Sequence, residues 1–195
     1  MQIEFWFEFA STYSYPTAMR IEALAASRGV QVVWRPFLLG PIFNQQGWND
    51  SPFNIYPVKG RYMWRDMERL CEELGLPFRR PSAFPRNGLL AARVVCAHAD
   101  AAWVPDFVRS VYRANFVEDA EISNPAVVER CLTDLGQDAT AILAAAQTQA
   151  AKDKFRSQTA EAMARGIFGA PSFVVGNELF WGNDRLEAAI AWVLR

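Results

Sequence analysis

Phe9-Ala10-Ser11-Thr12-Tyr13-Ser14-Tyr15 is the stretch on which the reading of this chain turns. Upstream, Ile3 to Phe9 is apolar and strand-like; downstream, Pro16 to Ser27 spaces its apolar residues as a helix does and ends at Arg28-Gly29. The stretch therefore predicts a strand handing over to a helix, with two serines at the entrance. The first helical turn leaves backbone N–H groups without partners and carries partial positive charge. A hydroxyl held there can help to stabilise an anion such as a thiolate. Serine in front of a helix is also an ordinary N-cap, and the stretch alone leaves both roles open to Ser11 and Ser14. Val30 to Pro36 reads as a second strand, which gives a β-α-β unit, and Pro16 suits a first helical turn because its missing N–H costs nothing there.

The chain has 195 residues, 51% of them hydrophobic, and a net charge of −1, enough to bury a substantial core in one domain or two small ones. Interspersed Lys and Arg form no cationic face for nucleic acid or an anionic membrane, so neither partner is expected. No apolar run reaches membrane-spanning length, and Met1-Gln2-Ile3-Glu4 lacks the basic start of a signal peptide, so a cytoplasmic location is expected. Cys71, Cys96 and Cys131 are odd in number, far apart and set in helix-like segments. They read as small buried apolar side chains, not as a disulfide framework or metal knuckle. His98 is the one histidine, which excludes a His-rich metal site; a Ser-His-Asp triad would require it to face the serine, and in its Ala-rich run a structural or surface role is the expectation.

From Leu38 to Lys59 the chain is rich in Gly, Pro, Asn and aromatics and reads as a long ordered loop. Between about Arg61 and Arg165 the pattern turns helical, over Tyr62–Leu74, Asn87–Asp100, Pro105–Asn115, Pro125–Leu135 and Ala139–Gly166. The strand-like Ser172–Val175 and Leu179–Trp181, joined by Gly176-Asn177, then lead to a closing helix from Asp184 to Leu194.

Two further segments bear on chemistry. In Gly169-Ala170-Pro171-Ser172-Phe173 a proline precedes a strand; if its peptide bond is cis, the Ala170 backbone faces outward and can pair with an extended peptide, and otherwise it is an ordinary loop proline. In Phe180-Trp181-Gly182-Asn183-Asp184-Arg185 a carboxylate stands at a helix start, where it serves either as a cap or as the partner of a ligand ammonium.

Together with Gly47-Trp48-Asn49 and Lys59-Gly60-Arg61-Tyr62-Met63-Trp64-Arg65-Asp66, these three segments resemble the 2-hydroxychromene-2-carboxylate isomerase family over essentially the whole chain. That family stands with kappa-class glutathione transferases in the DsbA-like branch of the thioredoxin superfamily. The resemblance implies an α/β fold, with residues 1–60 and 166–195 forming a thioredoxin-like domain and residues 61–165 an inserted all-helical domain. Ser11 and Ser14 then stand where thioredoxin-type proteins carry their C-x-x-C pair, so disulfide exchange is not expected.

By position, the resemblance implies that Ser11 faces the sulfur of glutathione with Thr12 and Tyr13 beside it. Asn49 contacts the tripeptide, Ala170 before Pro171 pairs with its backbone, and Asn183 and Asp184 hold its γ-glutamyl end. The commonest family form has proline after this serine, where this chain has Thr12. A small aromatic substrate is implied, with Tyr62, Trp64, Arg65, Phe84 and Arg86 of the insert as candidates to line its site, and so is a homodimer. The implied activity is glutathione-dependent cis–trans isomerisation by reversible thiolate addition in aromatic catabolism. A glutathione transferase using the same site, and a non-catalytic binding module on the same fold, are the other readings.

Overall fold

The computed structural model describes residues 1–195. Strands β1 (Gln2–Phe7), β2 (Gln31–Pro36), β3 (Ser172–Val175) and β4 (Glu178–Trp181) form one sheet in the order β2-β1-β3-β4. β1 and β2 are parallel and joined through helix α1 (Ser14–Ala26), while β3 is antiparallel to β1 and β4 to β3. The sheet is thus built from both ends of the chain. Between them lie α2 (Leu39–Gln45), α3 (Pro52–Ile55), α4 (Pro57–Glu73), α5 (Leu89–Ala97), α6 (Val104–Phe116), α7 (Pro125–Thr133), α8 (Ala139–Ala146) and α9 (Gln149–Ala164). Helix α10 (Leu186–Val193) closes the chain, and no helix is long and apolar enough to cross a membrane. This is the DsbA-like arrangement, a thioredoxin-type α/β unit interrupted by helices.

The alternation of β1 covers the sheet on both faces. Ile3, Phe5 and Phe7 enter the main core, where the Phe5 ring lies 5.0 Å from Phe7, 5.2 Å from Trp34 and 5.8 Å from Phe173. Trp6 points to the opposite face and is buried with Phe37, Leu39, Ile42, Ala162, Ile167 and Val174. Burial contributes about 1.5–3 kcal/mol for each such side chain, which fixes the end of β1 and the serine segment that follows.

Three local expectations change. Residues 38–59 are not a loop: α2, α3 and the start of α4 occupy them, with Phe53 N–H donating to the Ser51 hydroxyl (3.3 Å) and prolines 52 and 57 in first helical turns. The stretch 139–166 is two helices, because Thr148 adopts an extended backbone and its hydroxyl accepts from Ala151 N–H to start α9. The closing helix begins at Leu186; Asn183–Arg185 form a separate 3-10 turn.

Candidate active site

A cleft of about 1180 Å³ runs between the sheet unit and the helices, roomy by the standard of small-molecule sites, which span roughly 300–1,000 Å³. One wall is made by Glu8, residues 10–13, residues 168–171 and residues 181–185; the other by α2, the α2–α3 turn, α3, one face of α4 and residues 84–88. All eight candidate site residues line it: Ser11, Thr12, Tyr13, Asn49, Ala170, Pro171, Asn183 and Asp184.

The Ser11 hydroxyl joins segments far apart in sequence. It donates to the Ala170 carbonyl (2.9 Å) and accepts from Ser14 N–H (3.3 Å) at the mouth of α1. The capping role and the site role therefore meet in one side chain. The N–H groups of Thr12 and Tyr13 make no hydrogen bond within the chain, so two donors and the positive end of a helix stand beside that hydroxyl. Ser14 is fully buried and takes no part in the cleft.

The Ala170-Pro171 peptide is cis. The Pro171 carbonyl accepts from Gly182 N–H (2.9 Å), and Ser172 Oγ donates to the Gly169 carbonyl (2.8 Å), so residues 169–172 and the turn at 182 form one edge. Gly182 has φ +110°, a backbone conformation that side-chain-bearing residues rarely adopt, so glycine is favoured there. Asn183 is buried and its amide oxygen accepts from Thr17 Oγ1 (3.0 Å) and Arg20 (3.2 Å). Only its amide nitrogen is left for a ligand. Asp184 is exposed and touches just its neighbour Arg185, at 3.5 Å.

Across the cleft, Tyr13 donates to Asp66 Oδ2 (2.9 Å), tying the serine segment to α4. Burial and this carboxylate push the Tyr13 phenol well up, so it is a neutral donor. Of the five residues expected to line a substrate site, Tyr62, Phe84 and Arg86 do so; Trp64 and Arg65 do not. The reason is helical phase: Tyr62, Asp66, Arg69 and Glu73 share the cleft face of α4, whereas Trp64 is buried with Met63 and Met67 and Arg65 pairs with Glu68 in solvent. Arg86 is already engaged by Asp119, Asn115 and Ser82. The Ser82 N–H, and then that pairing, hold the Asp119 carboxyl down at about 2.

Sequence reasoning passed over Glu8. β1 carries it to the cleft, half-buried beside Leu39, and desolvation raises its carboxyl to about 7, the Leu39 N–H pulling partly the other way. An acid continuing the aromatic strand three residues before Ser11 was the available signal. His98 lies elsewhere, closing α5 against Trp103. Cys71, Cys96 and Cys131 are buried and none lines the cleft.

The model of the DSBA-like thioredoxin domain matches residues 2–190. A 2-hydroxychromene-2-carboxylate isomerase of Pseudomonas putida is 31% identical over 95% of this chain and 91% of its own. The solved structure of a 2-hydroxychromene-2-carboxylate isomerase superposes with a TM-score of 0.86 at 27% identity, covering 100% of this chain and 97% of that one. A more distant relative is glutathione S-transferase kappa 2 of Caenorhabditis elegans, 24% identical over 94% of this chain and 88% of its own.

Proposed function

Because the chain belongs to the 2-hydroxychromene-2-carboxylate isomerase family of DSBA-like thioredoxin domains, we propose that it is a glutathione-dependent isomerase. In this reading it interconverts 2-hydroxychromene-2-carboxylate and trans-o-hydroxybenzylidenepyruvate. Residues 1–60 and 166–195 hold glutathione, and residues 61–165 cover the aromatic substrate.

One observation carries the reading: a hydroxyl, two free N–H groups and a helix terminus converge at Ser11 in a cleft that contains no cysteine. The site is made to receive a sulfur and does not supply one. A free thiol of pKa about 8.5 is mostly protonated at neutral pH, and donors at a helix start raise its thiolate fraction. For a bound thiolate, the Ser11 hydroxyl rotates its proton from the Ala170 carbonyl to the sulfur. The free Ala170 N–H then faces the tripeptide backbone, with Asn49 along it and Asp184 and the Asn183 amide nitrogen at the γ-glutamyl head.

Thiolate addition to the conjugated enone turns its double bond single and delocalises charge onto the ketone oxygen. Rotation follows, and elimination returns the isomer and free glutathione. The test is the purified protein on hydroxychromene-carboxylate with glutathione, without it, and with S-methylglutathione. Turnover only with the free thiol is expected; equal rates in all three would end the reading. A product that retains glutathione would instead indicate the transferase chemistry suggested by the kappa-class relative.

A further inference from the structure

The isomerase reading explains the sulfur and leaves a proton unassigned. A 2-hydroxychromene is a cyclic hemiketal; before any rotation its ring C–O bond must break, the hydroxyl at the same carbon must lose a proton, and the departing phenolate must gain one. Serine, threonine and the neutral Tyr13 are poor carriers of that proton near neutral pH. The cleft holds a better one.

Glu8 lies at the root of the cleft wall that carries Ser11, and its own backbone anchors it there: its carbonyl accepts from Ser11 N–H (3.0 Å) and from the Tyr112 hydroxyl (2.8 Å). No cation contributes to its titration. Leu39 and Gly40 of α2, residues 10–12 and residues 169–171 bring no charge to it; from α6 comes the neutral Tyr112 phenol, itself pushed up by burial and by Glu8. Across the cleft Arg86 is held by Asp119. A carboxyl that meets one backbone donor, the Leu39 N–H, and no cation, half-buried in the cavity that receives the ligand, has the burial and isolation of a proton carrier.

Resting on the proposed isomerase function, we infer that Glu8 is a catalytic residue that shuttles the hemiketal proton. Its carboxylate takes the proton of the hydroxyl as those O–H electrons form the ketone and the ring C–O pair passes to the phenolate oxygen. The resulting acid then returns the same proton to that oxygen. Nothing is consumed, and the reverse sequence closes the ring. Desolvation keeps the group near the pH at which both forms are populated, which suits both halves of the exchange.

The experiment compares hydroxychromene-carboxylate with cis-benzylidenepyruvate, which has the same enone and no ortho hydroxyl and so cannot form the ring. Glu8→Gln should lose about a hundredfold to ten-thousandfold in kcat on the cyclic substrate, the span of general acid–base catalysis, and stay within about threefold of wild type on the open one. In wild type, which needs no variant to fold, a near-neutral limb in the pH dependence of kcat/KM should accompany the cyclic substrate and be missing from the other. Equal loss on both substrates, loss on neither, or the same limb with both would overturn the assignment. A variant slow only on the cyclic substrate leaves the thiol chemistry standing, whereas a wild type inactive on both substrates removes the isomerase reading and the shuttle with it.

Discussion

The sheet side of the cleft offers backbone amides and short uncharged side chains at its centre, at Ser11, Thr12, Ala170 and Pro171, with charge at Glu8, Asp184 and Arg185; the helical side presents more long charged ones, at Lys59, Asp66, Arg69 and Arg86. The first wall is set by strand register and by the Gly182 N–H bond to the Pro171 carbonyl (2.9 Å), so its groups are in place before a ligand arrives. In the second, Arg86 is spent on Asp119, and Asp66 on Tyr13 and Arg69. In the function proposed above, the sheet wall holds the cofactor and the helical wall shapes the space beside it.

Breaking the helical wall should cost folding before it costs binding. Arg86→Met removes a buried guanidinium that bonds Asp119, Asn115 and Ser82; urea denaturation should show a clear loss of stability while the folded fraction binds glutathione as wild type does. Unchanged stability with lost binding would place Arg86 on the ligand.

Glu8 sharpens the contrast from the sheet side, where function and stability oppose each other. Its carboxyl titrates at about 7 in the fold against 4.5 in an unfolded chain, so the folded state binds the proton more tightly. Stability is full below pH 4.5 and is lost as pH rises through 7. Glu8→Gln should therefore be more stable than wild type at pH 8, by about 1–3 kcal/mol once its partial exposure is allowed for, and no more stable at pH 4. Thermal melts at the two pH values decide it.

Asp184 is the one charged contact proposed for glutathione on the sheet wall. Asp184→Asn should weaken glutathione about tenfold, a charge-assisted bond of roughly 1.5 kcal/mol at an exposed site, with little change in stability. An analogue lacking the γ-glutamyl amino group should bind both proteins alike. A pure cap would show the reverse, a small loss of stability and unchanged affinity.

The sheet wall was legible in the sequence because its signals are local: apolar strand then serine-led helix, proline before a strand, glycine before an acid. The helical wall was less so. Phase along α4 separates Tyr62 from Trp64 and Arg65, which neighbour it in sequence and leave by other faces. Arg86 acquires its partner 33 residues away, at Asp119, and no spacing rule connects them. Residues 38–59 hid α2 and α3 because a proline that marks a turn also starts a helix, as Pro52 does behind the Ser51 cap. Glu8 was missed because a carboxylate just past the end of a strand is ordinary until the fold is seen to bury it in the cleft.

The central claim is that the Ser11 end of α1 holds a borrowed thiolate, and the acidity of bound glutathione tests it most directly. Thiolate ultraviolet absorbance, titrated against pH with glutathione saturating the protein, reports the thiol pKa in the cleft. A value at least one unit below the free thiol's, about 8.5, is predicted, rising toward the free value in Ser11→Ala as turnover falls roughly tenfold to thousandfold. An unshifted pKa in the wild-type complex, or a lowered one that Ser11→Ala leaves untouched, would contradict it.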